Sequence, residues 1–162
     1  MAAQRKGPPT INDELAELIE GGVILVLATS DDTLTPHLTR AWAAQLTEDR
    51  TGLSVLVPTA QAHQCLADLE KRSNVSVSAC RASTYDAVQL KGRVVDRGPA
   101  EAKDALRLDR FWSLLFEDVG KVGVPADLAR AMDSEGHIHL TIALDDIFDQ
   151  RPGPGAGRGW KP

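Results

Sequence analysis

Most of the strand-like runs in this chain are joined by turns too short to hold a crossover. Residues 23–29 (VILVLAT) form an unbroken apolar, β-branched run, the pattern of a strand covered on both faces. A turn at 30–33 leads into an extended segment at 36–47, and the turn at 48–52 (EDRTG) brings in a third strand at 53–57. Residues 75–80 (VSVSAC) alternate apolar with small side chains, and a short turn joins them to a long strand at 84–97. Runs linked this tightly pair antiparallel, because parallel partners need a connection of a dozen or more residues. A sixth strand is expected at 137–144 (HIHLTIAL).

Helical spacing fills the gaps between hairpins. A short helix opens at 11–14 with Leu15, Leu18 and Ile19 on one face, and Gly21-Gly22 ends it. Thr59 is placed to cap a second helix over 61–71, striped by Cys65, Leu66 and Leu69. Pro99 suits the first turn of a third, running to about residue 117 with Leu108, Phe111, Trp112 and Leu115 as its apolar face. A fourth is short, at 125–132. The expected class is α+β, mainly β: six antiparallel strands closed into a small barrel with helices packed outside.

With 162 residues, 43% of them hydrophobic, one domain is expected over 11–162, preceded by a flexible arm at 1–10. A net charge of -5, from 18 basic and 23 acidic residues, argues against a nucleic-acid partner, which needs a basic stripe to displace counterions. The longest apolar run, 23–28, is too short to cross a bilayer, and MAAQRKGPPT lacks an apolar leader, so a soluble cytoplasmic protein is expected. Cys65 and Cys80 lack the spacing of a redox or zinc pair. His137 and His139 share a strand face, but no third metal ligand lies near them in sequence, and no metal site is expected.

No P-loop, nucleophile elbow, zinc helix or dinucleotide fingerprint is present, so no catalytic residue is assigned and chemistry must lie in a constellation. In the stretch YDAVQLKGRVV, at 85–95, strand geometry sets Gln89, Lys91 and Arg93 on the side opposite Val88, Leu90 and Val94. An amide and two cations in line are either an ordinary solvated face or a platform for an anionic, planar, hydrogen-bonding ligand. Gly92 within the strand points to a bulge or a close backbone approach. Arg40 is expected on the same face as Leu38, Trp42 and Leu46, an apolar setting where a cation needs a partner, either a carboxylate of the protein or a ligand phosphate. The Gly/Pro loop at 149–160 reads as a frayed end but for Trp160, an indole that disordered tails seldom carry.

Taken in order, these pieces resemble the pyridoxamine 5'-phosphate oxidase-like family of FMN-binding split β-barrels. The resemblance spans about 12–160. It is carried by the opening helix and apolar strand ending in Ala28-Thr29, by Pro36 with Arg40 downstream, by LSVLVP at 53–58, and by Tyr85 with VQLKG at 88–92. The ending IFDQRPGPGAGRGW is similar to that of a small bacterial subgroup of the family. The resemblance implies a homodimer of split barrels with two flavin sites at the subunit interface, each lined by both chains, and hydride transfer with a small-molecule substrate. It places Gln89 beside the isoalloxazine edge, Arg40 and Lys91 near the phosphate, and Trp160 in a loop folded across the dimer. FMN is the cofactor it implies, with deazaflavin or haem as alternatives that similar barrels accommodate. A non-catalytic carrier or sensor, or a structural dimer with an empty cleft, are the alternative functions. One stretch departs from the pattern: where family members that hold FMN tightly carry basic residues after the third strand, VPTAQAHQ at 57–64 has none. Thr59, Gln61 and the N–H groups of the following helix are the groups available there for a phosphate.

Overall fold

The computed structural model describes residues 7–160, so most of the expected arm, at 1–6, lies outside the described residues. Helix α1 spans Asp13–Glu20, and Asn12 caps it by accepting the Leu15 N–H at 3.0 Å. Strands β1 (Ile24–Ser30), β2 (Pro36–Leu46) and β3 (Gly52–Pro58) form the anticipated meander. Helix α2 is His63–Leu69, followed by β4 (Asn74–Cys80) and β5 (Ala87–Pro99). Helices α3 (Ala102–Lys121) and α4 (Ala126–Arg130) precede β6 (His137–Asp149). The six strands close into an antiparallel barrel in the order β1-β2-β3-β6-β5-β4.

Period-two alternation fills the barrel. Thr39, Leu27, Val77 and Leu90 lie side by side in one inward row across β2, β1, β4 and β5, and Ala41, Leu25, Ala79 and Val88 form the next. All are buried, and Leu53, Val55, Leu140 and Ile142 close the other side. Burying each of the larger aliphatic side chains contributes about 1.5–3 kcal/mol.

Several boundaries differ from the sequence expectation, each for a local reason. Helix α2 starts at His63, not at 61, because the Gln61 and Ala62 N–H groups both donate to the Pro58 carbonyl in a tight turn. Thr59 therefore caps nothing; Ala62 is the cap residue and makes no side-chain bond. Pro99 ends β5, and α3 begins after Glu101, whose carboxyl forms a reciprocal capping box with Asp104. A bulge in β2 between Trp42 and Gln45, with Ala43 at φ 50°, shifts the alternation by one. Leu46 consequently pairs with buried Leu53 and faces inward, away from the side that carries Arg40. Gly92 does mark a register shift: a Cβ there would collide with the Ala143 carbonyl oxygen of β6. Strand β6 runs five residues past the expected end at 144 and pairs with β5 as far as Asp149.

Outside the barrel, α3 covers one flank. Trp42 and Leu56, paired on the outer side of β2 and β3, lie buried, with the Trp42 ring 4.9 Å from Trp112 and 5.9 Å from Phe111. On the flank made by β1, β4 and the start of β5, no helix among the described residues covers the outer side chains. Val26 and Ala28, expected to be covered, are only half-buried there.

Candidate functional site

The register assembles a surface on that uncovered flank. Arg40 pairs with Val26, Val26 with Ser78, Ser78 with Gln89 and Gln89 with Phe148, giving one outward cross-strand row. The adjacent row is Leu38, Ala28, Ser76, Lys91 and Asp146. Small side chains on β1 and β4 thus make a floor, with Arg40 at one edge and Gln89 and Lys91 at the other. Three inter-strand steps separate the edges, about 14 Å.

At the Arg40 edge lies an open cleft of about 400 Å³ lined by Val26, Leu38, Thr39, Arg40 and Gln61. Two of the sequence candidates, Arg40 and Gln61, therefore meet. No carboxylate among the described residues pairs with Arg40, so the intraprotein partner entertained for it is absent and the guanidinium is left for something else. Thr39, next to Arg40, belongs to the inward row of the barrel; it is 6% exposed and its buried Oγ1 has no hydrogen-bond partner. Gln61 is already engaged: its Nε2 donates to the Met132 carbonyl at 2.9 Å. Thr59 is exposed and outside the cleft lining, its N–H donating to the Gly136 carbonyl at 3.0 Å.

On the far edge, Lys91 Nζ sits 5.1 Å from the centre of the Phe148 ring. Arg93 leaves the set, because after the Gly92 register shift its guanidinium grips both oxygens of Asp145 at 3.1 and 3.2 Å.

Trp160 is ordered but lies elsewhere. The loop at 149–160 zips back on β6, with Asp149 N–H to the Arg158 carbonyl at 2.9 Å and Trp160 N–H to the Ile147 carbonyl at 2.8 Å. Arg151 braces it, binding the Asp149 carboxylate at 2.6 Å and stacking 5.2 Å over the indole. These bonds from Arg151 hold the Asp149 carboxyl below its usual range. Trp160 lines a separate cleft of about 360 Å³ with Leu15, Leu18 and Arg81, so within one chain it does not join Arg40.

One cluster beside the cleft escaped the sequence. Asp68, 4% exposed on α2, accepts the Thr29 hydroxyl at 2.6 Å and contacts His37 Nδ1 at 2.8 Å through the same oxygen. Burial opposes its ionisation, yet the bonds from Thr29 and His37 prevail and hold the carboxyl below its ordinary value. The available signal was an aspartate three residues after Cys65 on the apolar stripe of α2, where a carboxylate must be paired. His137 and His139 do not converge on a common ligand: the first contacts Asp133 at 3.0 Å, the second the buried Asp104 at 3.2 Å. Asp104 also faces Arg107 at 3.3 Å; burial opposes its charge, but the Glu101 N–H, His139 and Arg107 keep it below the usual range. These pairs brace α3 against β6.

A family model described as pyridoxamine 5'-phosphate oxidase matches residues 11–144, most of the chain. The chain belongs to the pyridoxamine 5'-phosphate oxidase family. Solved structures share its fold at low identity. An F420 reductase superposes with a TM-score of 0.57 at 17% identity, over 85% of this chain and 98% of its own. HupZ of Group A Streptococcus gives 0.53 at 16%, over 91% and 100%. A Clostridium acetobutylicum protein of the pyridoxinephosphate oxidase family, related to general stress protein 26, gives 0.52 at 11%, over 91% and 92%. No curated protein sequence matches the chain. Within this oxidase-family barrel, the uncovered flank is the surface whose chemistry the helices do not account for.

Proposed function

We propose that this protein binds a flavin-type cofactor, FMN in the first instance, on the floor formed by Val26, Ala28, Ser76 and Ser78, and that it is an oxidoreductase acting on a small organic molecule. The observation that carries the reading is the cross-strand row from Arg40 to Gln89 on a flank no helix covers. A flat floor of small side chains admits a planar ring, and the Gln89 amide can both donate to and accept from a heterocycle edge. Arg40, free of carboxylates, suits an anionic group. The bound flavin would supply the hydride chemistry; the chain's part is to orient the ring and keep water from it.

The functional unit is a homodimer through this flank. Half-buried Val26 and Ala28, together with Leu38 at 67% exposure, are what an oligomer face requires and an isolated barrel does not. The second chain would then roof the floor, and the Trp160 loop of one chain would be set to reach the other.

A second reading is a non-catalytic carrier or sensor. It is favoured by one feature: the cleft lining of Val26, Leu38, Thr39, Arg40 and Gln61 contains no group suited to act as a general base. Titrating FMN into the protein while following quenching of its fluorescence tests the binding reading. Saturable binding that weakens about tenfold in Arg40→Ala and Gln89→Ala is expected, the size of one lost charge-assisted or bidentate contact. Binding unchanged in both variants would move the site elsewhere. Reduction of the bound flavin by a nicotinamide donor separates the oxidoreductase from the carrier.

A further inference from the structure

A phosphomonoester carries about 1.5 to 2 negative charges at pH 7 and three strong acceptor oxygens, so a site selective for it needs more than one donor group. The Arg40 cleft provides one cation. The substitutes in the segment at 57–64 are committed to the protein itself. The Thr59 N–H serves the Gly136 carbonyl, the Gln61 and Ala62 N–H groups serve Pro58, and the Gln61 amide serves Met132. His37, next along β2, is turned to Asp68, and the segment at 57–64 contains no lysine or arginine. Lys91 lies three strands from Arg40, one row over, held on the Phe148 ring and opposite Asp146 in β6. Of the side chains lining this edge only Arg40 remains, because the unpartnered Thr39 hydroxyl belongs to the inward row of the barrel.

We infer that this site recognises the tricyclic ring and holds a terminal phosphomonoester through one charge contact only, so that dephosphorylated ring ligands bind within about thirtyfold of FMN. The inference rests on the flavin reading above and narrows it: the ligand class is set by the ring face, and the anionic tail is held by a single guanidinium. The second converging cation that confers phosphate selectivity is not found among the residues lining this cleft.

The test is a pair of titrations on the full chain, FMN against riboflavin, at low ionic strength where charge contacts are strongest. FMN is expected to bind less than about thirtyfold tighter than riboflavin, the size of one charge-assisted contact. In Arg40→Ala the two ligands should bind alike, and in Lys91→Ala the ratio should match the parent. A preference above that limit, or one that survives in Arg40→Ala, overturns the inference by revealing further phosphate donors. If neither flavin binds, the flavin reading itself fails and takes the inference with it, an outcome distinct from tight, phosphate-selective binding.

Discussion

Arg40 and Trp42 stand two residues apart on the same outer side of β2, yet they belong to different kinds of surface. Trp42 is 3% exposed beneath α3, in an aromatic cluster with Phe111 and Trp112. Arg40 borders an open cleft over a floor of Val26, Ala28 and serines. The barrel is thus finished on one flank by its own helix and left open on the other. The contrast teaches where to look for function: apolar residues on a flank that the chain does not cover are kept for something that arrives, a ligand or a second chain. The covered flank should respond to mutation in stability, the open flank in binding.

That contrast can be broken by experiment. The largest effect is expected at Trp112→Ala, which empties the aromatic cluster and should cost about 3–5 kcal/mol, read as a lower urea midpoint. Loss of less than 1 kcal/mol would mean α3 does not hold that flank. Asp68→Ala, which strips Thr29 and His37 of their shared acceptor, should cost about 3 kcal/mol. Its pH signature follows from the sign of the shift. The folded carboxyl is held low, so its contribution is present above the unfolded carboxylate range and disappears as pH falls through the folded value. Thermal melts from pH 6 down to pH 3 should therefore lose the difference between parent and Asp68→Asn; a gap that stays constant would rule out an ionised Asp68 in the native state.

Removing residues 150–162 should cost about 1–3 kcal/mol through the lost Arg151–Asp149 pair and the Trp160 packing against α1. An unchanged melt would make the loop energetically idle. On the open flank, Leu38→Asp should leave secondary structure intact, as expected for a side chain that is mostly in solvent, while shifting the elution of the protein from that of the proposed dimer to that of a monomer. A dimer that persists would place the interface elsewhere. Smallest of all, Arg40→Ala should change stability by no more than about 0.5 kcal/mol, because no carboxylate is left unpaired.

Much of the barrel was legible because hairpin spacing and strict alternation state both pairing and facing: VSVSAC in β4 buries Val75, Val77 and Ala79 as its pattern requires. Gly92 announced its register shift because close backbone approach has a residue signature. Ala43 did not, since an alanine at positive φ carries no mark in the sequence, and the bulge it makes inverted the expected facing of Leu46. The N-terminus of α2 was misjudged at Thr59 because a good capping residue lay in a turn that the Pro58 carbonyl had already closed. For the candidate site, Arg40, Gln89 and Lys91 stood out singly by chemistry, but the row shared by Arg40 and Gln89, with Lys91 in the next, exists only through the β1–β4 pairing, which no local pattern reveals. The His37–Asp68 contact, spanning 31 positions, was hidden for the same reason.

The most direct test of the open-flank claim is to fill the floor. Ser78 is exposed at its centre, so Ser78→Trp should fold with a melting temperature close to that of the parent. FMN titration of this variant is expected to show no saturable quenching where the parent saturates at one flavin per chain. Parent-like FMN affinity in Ser78→Trp would contradict the account, because the ring would then have to bind away from the β1–β4 floor.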